Sequence, residues 1–190
     1  MKREKGEYGY LAQFKKMRLI LTLLLFAAMA CIIGFGYFRY HSMKTIFTVV
    51  GLLFSLPIAK VLSGLLVVLP LKPIPEEEKR EMEQKVNHIP KEQILWDLAL
   101  SSEEKVRHFP CVVYSDKTVI ALYRDNKKAS DVEEAKKYFR NLLKNNCHKT
   151  GFLLLTKEDK FLEKIAAANF ESEDEKEIKR IKETILVYEM

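Results

Sequence analysis

Glycine is scarce beyond the first third of the chain. Of seven glycines, only Gly151 lies after residue 71. No glycine-rich loop is therefore present to cradle a phosphate with backbone amides, which argues against the common nucleotide-binding motifs. Cysteine is also sparse. Cys31, Cys111 and Cys147 are odd in number and widely spaced, which builds no disulfide framework and suits a reducing compartment. Acids are nearly missing from residues 1–71, two against nine Lys/Arg, a balance of +7. Residues 72–190 carry 24 acids and 23 Lys/Arg, a balance of −1. The net charge of +6 thus belongs to the N-terminal third. The neutral remainder has no electrostatic footprint for DNA or RNA, and no nucleic-acid partner is expected. Repeats and low-complexity tracts are absent.

What is present is a long apolar stretch, Leu19 to Leu71. No charge interrupts Leu19–Phe38, 20 residues, or about 30 Å of helix, enough to cross a hydrocarbon core. Arg39 to Lys44 form a polar break, and a second apolar run follows from Thr45 to Leu71 with one charge, Lys60. The pattern predicts two transmembrane helices, about 19–38 and 45–71, joined as a hairpin. The first run is too long for a signal-peptide core, and Gly34-Phe35-Gly36-Tyr37-Phe38 makes a poor cleavage site. Six Lys/Arg precede the first helix, two lie in the turn, and Lys72, Lys79, Arg80 and Lys85 follow the second. The positive-inside rule then places both termini in the cytoplasm, in a multi-pass cell-membrane protein.

Details of the hairpin raise further expectations. Pro57 lacks a backbone donor and should kink the second helix near Leu53–Leu56. Lys60 lies past the bilayer midplane, where it either snorkels to the cytoplasmic headgroups or pairs with a partner helix or an anionic lipid. Small residues at Ala27, Ala30, Gly34, Gly51 and Ser55 permit close helix contact, within the hairpin or in a homodimer. The basic flank 1–18, with Tyr8, Tyr10 and Phe14, either lies on the membrane surface or frays.

At 190 residues the chain has room for this hairpin and one further domain of about 100 residues. Pro70, Pro73 and Pro75 end the membrane segment. Pro75 and Glu76-Glu77-Glu78 start a helix with proline at its first position and acids in its first turn. Its only apolar residues are Met82 and Val86, so 72–90 reads as a solvated linker. Ile94–Leu100, apolar but for Asp97, fits a strand or a helix by periodicity, and the strand is the preferred reading. Cys111–Tyr114 and Thr118–Tyr123, separated by Ser115-Asp116-Lys117, read as an antiparallel hairpin. Ser130/Glu133, Thr156/Asp159 and Ser172/Glu175 have capping-box spacing and start three helices. The first carries Val132, Ala135, Tyr138, Phe139, Leu142 and Leu143 on one face, and the third carries Ile178, Ile181 and Ile185. Phe152–Leu155, preceded by Gly151, and Ile185–Tyr188 read as strands. The alternation predicts a small cytoplasmic α/β (α+β-like) domain with a mixed sheet over 91–190.

Candidate chemistry is thin. His108, Cys111, Cys147 and His148 are possible zinc ligands or a Cys-His nucleophile pair, but Cys147 and His148 are adjacent and Cys111 opens an apolar strand. Asp97, Asp116, Asp125 and Lys127 resemble a nuclease-like set for magnesium. Asp116 and Asp125-Asn126 read better as turn residues, where the side chain bonds its own backbone. No residue is assigned a catalytic, cofactor-binding or metal-ligating role, and no cofactor is expected. Trp96 reads as core, and Tyr114 and Tyr123 as sheet-face residues. The expectation is a membrane-anchored, non-enzymatic binding or assembly module whose partners are the lipid bilayer and a protein. The alternative is a membrane-tethered hydrolase or nuclease.

Overall fold

The computed structural model describes residues 3–102, 105–124, 129–146, 150–168, 170 and 174–190. Two compact units emerge, Ala12–Pro70, and Met1–Leu11 together with Leu71–Met190.

The first unit is a helical hairpin. Helix α1 runs from Tyr10 to Tyr40, and α2 (Ile46–Leu53) and α3 (Ser55–Val68) return. Both arms are long and apolar enough to cross a membrane. The break at Phe54 falls one turn before Pro57, which has no N–H to donate to Leu53, as the sequence predicts. Helix α1 starts nine residues earlier than the uncharged run, because Lys15, Lys16 and Arg18 are good helix formers and nothing between Tyr10 and Leu19 breaks a helix. The arms pack through glycine. A Cβ on Gly51 would stand 2.4 Å from Cγ1 of Ile33, and one on Gly36 would stand 2.5 Å from Cβ of Phe47. Phe47 also meets the Phe35 and Tyr40 rings, centroids 5.5 and 5.9 Å apart. Gly34 meets nothing within 4 Å, so contact within the hairpin uses Gly36 and Gly51 rather than the Ala30/Gly34 pair.

The second unit is a four-stranded mixed sheet in the order β1-β2-β3-β4, with β1 Ile94–Ser101, β2 Val106–Tyr114, β3 Thr118–Leu122 and β4 Gly151–Leu155. The first three form an antiparallel meander, and β4 joins parallel to β3 after the crossover helix α5 (Ala129–Asn146). Helices α4 (Glu76–Lys85), α6 (Glu158–Ala167) and α7 (Glu175–Val187) complete it. One face of the sheet packs Leu98, Phe109, Val112 and Tyr114 with Phe139 of α5 and Ile181 and Ile185 of α7. The other packs Trp96, Cys111 and Val113 with Met82 of α4 and Phe161 and Ile165 of α6. Trp96, Tyr114 and Tyr123 are all buried, in line with their assignment to core and sheet faces.

Several local expectations need correction. Residues 72–90 are not a solvated linker. Met82 and Val86 are the inward stripe of α4, and Ile74 and Ile89 join them in the core. Two apolar residues one turn apart suffice to seat a short helix on a sheet. Gly6 and Tyr8 of the N-terminal segment are tied into this unit rather than frayed, because the Trp96 N–H donates to the Gly6 carbonyl at 2.9 Å and the Tyr8 hydroxyl to the Ile74 carbonyl at 3.0 Å. Helix α6 starts after Lys157 with no side-chain cap, so the Thr156/Asp159 box does not form. Helix α7 is capped by Asp174, whose carboxylate accepts from the Lys176 and Glu177 amides; Ser172 lies outside the described residues. Ser130 sits inside α5 rather than at its cap. Ile185–Val187 are helical, since Ile185 extends the Ile178/Ile181 stripe, and only Glu189 bridges to Leu100.

Candidate functional site

The most unusual position in the α/β unit is Asp97. It lies mid-strand with φ 51°, in the left-handed region. Among non-glycine residues Asp and Asn enter this region most readily, and such strain clusters at special sites. The pleat shows the consequence. Trp96 and Leu98, two apart, face opposite sides of the sheet, and so do Cys111 and Phe109 on β2. Regular alternation would put residues two apart on the same side. Trp96 still pairs with Cys111, and Leu98 with Phe109, so the register keeps its offset across Asp97 and Pro110, which are not themselves paired. Both strands therefore change phase together at Asp97 and Pro110. Pro110 has no N–H to contribute to the ladder at that point.

The kink delivers a carboxylate into the core. Asp97 is fully buried. Its Oδ1 accepts from the Ile74 amide at 2.9 Å and lies 3.3 Å from Nε2 of His108. Its Oδ2 is buried and meets no donor among the described residues. Around it the rest of the strand collects both ends of the chain. Gly6 holds Trp96, Tyr188 accepts from the Ser101 amide at 2.9 Å, and the Met190 amide donates to Ala99 at 3.2 Å. Lys5 Nζ donates to the Glu189 carbonyl, and the Tyr10 hydroxyl donates to Met190 at 3.2 Å. The outer edge of β1 is thus covered by the segments before the hairpin and at the C-terminus, which removes an open pairing edge. Glu189 is buried beside this cluster. Burial, reinforced by the Asp97 charge, pushes its carboxyl up to about 8, against the opposing pull of Lys5 and the Gly6 amide.

Chemically, an aspartate beside a histidine is half of a nucleophile-activating set. Of the two candidate cysteine nucleophiles, Cys111 alone lies among the described residues. The Cys111 thiol is wholly buried, and burial with the Asp97 and Glu158 charges pushes it far above its ordinary range. A thiol so placed stays protonated and inert. Cys147, His148, Asp125 and Lys127 lie outside the described residues. Asp116 sits in the β2–β3 turn, six residues along β2 from Pro110, so roughly 20 Å of strand separates it from Asp97. The two do not share a metal. Among the described residues no three His, Cys, Asp or Glu side chains converge as a metal-binding group.

Two other polar features escaped the sequence reading. Arg107 is buried, stacks 5.3 Å from the Tyr138 ring centroid and bonds to Ser102 Oγ at 2.5 Å. A groove of about 960 Å³ beside α7 has Phe170, Ile178 and Leu186 in its lining with Lys179, Lys182 and Glu183. Asp97 was visible as the one charge inside an apolar strand, but its role was not, because its partners Ile74 and His108 lie 23 and 11 residues away. Compared with known proteins, the chain matches no family model, no curated protein and no solved structure.

Proposed function

We propose that the chain is a multi-pass cell-membrane protein, a non-enzymatic binding or assembly module with its α/β unit on the cytoplasmic side. One observation carries this reading. Only 11% and 17% of the most apolar windows of the two hairpin arms are buried. Leu23, Leu24, Phe35, Phe38, Ile46 and Leu56 stand exposed. A water-soluble domain does not carry an apolar surface of this extent without covering it, and a core helix would be buried. Lipid is the cover that two antiparallel apolar helices of this length fit. The charge bias of the flanks supports termini on the cytoplasmic side and Arg39–Lys44 outside.

The Asp97 centre supports a structural role for the α/β unit. Asp97 and Trp96 bond the segment that follows the hairpin, at Ile74, and the segment that precedes it, at Gly6. Both flanks of the hairpin are therefore tied into one strand. Ties of this kind suit a domain that presents a surface to a partner at the membrane. The hydrolase or nuclease alternative gains no assembled nucleophile or metal set from the described residues.

The test combines extraction with sizing. Membranes carrying the full chain are washed with alkaline carbonate, then solubilised in mild detergent. Retention in the washed pellet, followed by elution of a stoichiometric complex with a second protein, supports an anchored assembly module. Release by carbonate rejects the anchor. A lone chain that turns over phosphodiester or ester substrates, and loses that activity in Asp97→Asn, rejects the non-enzymatic reading.

A further inference from the structure

Residues 12–70 contain no Asp or Glu, yet they hold Lys15, Lys16, Arg18, Arg39, Lys44 and Lys60. Arg18 is the last charge before the uncharged run of α1, and Lys60 is the one charge inside the second arm. The arms run antiparallel, with Gly36 against Phe47, Gly51 against Ile33 and Gly64 against Arg18. Arg18 is therefore level with Gly64, one turn, about 6 Å, along α3 from Lys60. The Arg18 guanidinium lies across Gly64, with Nη1 3.4 Å from where a Cβ would stand, and over the Phe14 ring at 4.9 Å. The missing side chain at Gly64 is what lets the arginine lie on α3. Positions four apart share a helix face, so the arginine sits on the stripe that carries Lys60. Lys60 is exposed.

We infer that Arg18 and Lys60 together bind the phosphate of an anionic phospholipid in the cytoplasmic leaflet. The inference rests on the membrane-spanning reading. Counted from Ile46, Lys60 is about 21 Å and Gly64 about 27 Å along the second arm, in the half of a roughly 30 Å core nearest the N-terminal flank. Cations at that depth are costly unless they meet a counter-charge, and the hairpin contains no carboxylate to provide one. A bilayer offers one anionic group at that end, the lipid phosphate. A guanidinium grips it in bidentate fashion and a lysine adds a point charge. A lipid with net negative charge is favoured because its headgroup adds no cation beside two others. An acidic side chain on a partner's helix is the competing occupant.

The test is native mass spectrometry of the full chain released from vesicles of phosphatidylcholine and phosphatidylglycerol at three to one. The wild-type chain is expected to retain phosphatidylglycerol preferentially. Arg18→Gln and Lys60→Gln should each lower that retention about fivefold, and the double variant more. Lys16→Gln, exposed and off the stripe, should leave it unchanged. Gly64→Leu keeps both charges but fills the space beneath Arg18, and it should also weaken retention. Equal retention of both lipids by a chain that still floats with the vesicles overturns the inference and leaves the membrane reading standing. Failure to float overturns both. A dimer cross-linked through position 60 that carries no lipid overturns the inference in favour of a helix partner.

Discussion

The hairpin and the α/β unit use the same residue types by opposite rules. In residues 12–70 leucine and phenylalanine are largely exposed, and the segment holds six Lys/Arg and no Asp or Glu. In residues 71–190 leucine and phenylalanine are inside, and half-buried charges pair, as Lys79 does with Glu83 and Lys105 with Asp131. The difference teaches that side-chain disposition reports the solvent. An apolar surface in a segment that carries cations and no acids is stable where the surroundings are hydrocarbon edged with phosphate. A charge-balanced surface over an apolar core is stable in water.

The sharpest way to break this contrast is to make one change in both places. Leu98→Ala, at a fully buried site, should cost about 2–5 kcal/mol in denaturant unfolding of the α/β unit. Leu24→Ala, on the exposed surface of α1, should leave that unfolding unchanged. Equal effects would mean that the hairpin belongs to the folded core. Next comes the kink. Asp97→Val puts a β-branched residue at φ 51° and leaves the Ile74 amide without its acceptor, an expected loss of about 3 kcal/mol or more. Asp97→Asn tolerates the conformation and keeps an acceptor oxygen, so its loss should be about 1 kcal/mol or less, read from the same melts.

A smaller effect should follow pH. The Glu189 carboxyl is raised to about 8 in the folded chain from an ordinary 4.5. Between those values the folded state holds a proton that the unfolded state has lost. Stability should therefore fall as pH rises from about 4.5 to 8, then level off. Glu189→Gln should flatten that slope and be the more stable form at pH 8. An unchanged slope would remove Glu189 as its source. The smallest effect is expected at the surface pair Arg80–Glu76, where Arg80→Ala should change stability by no more than about 0.5 kcal/mol.

The architecture was legible where one physical signal dominated. Apolar length gave both hairpin arms, despite Lys60 in the second, and Pro57 located the break before it. β-rich runs around Ser115-Asp116-Lys117 gave the β2–β3 hairpin, and the Phe139 stripe gave α5. The failures came where tertiary contact outweighed local pattern. Met82 and Val86 look too few to pack, yet Ile74, Ile89 and Phe161 complete their cluster. Ile185-Leu186-Val187-Tyr188 is β-rich by composition, yet α7 continues through Val187 because Ile185 seats on the sheet. Thr156 and Asp159 have the spacing of a box, yet Lys157 stands at the N-cap. The Asp97 centre was out of reach from sequence, because periodicity carries no information on contacts 11 and 23 residues apart.

The central claim is that the hairpin crosses a membrane and returns. The direct measurement is labelling of single cysteines, His41→Cys in the turn and Asp116→Cys in the α/β unit, with a membrane-impermeant maleimide on intact cells. The native-cysteine background is subtracted using the unsubstituted chain. Position 41 is expected to label in intact cells and position 116 only after permeabilisation. Labelling of both positions in intact cells, or of neither until the cells are opened, would contradict the two-crossing hairpin.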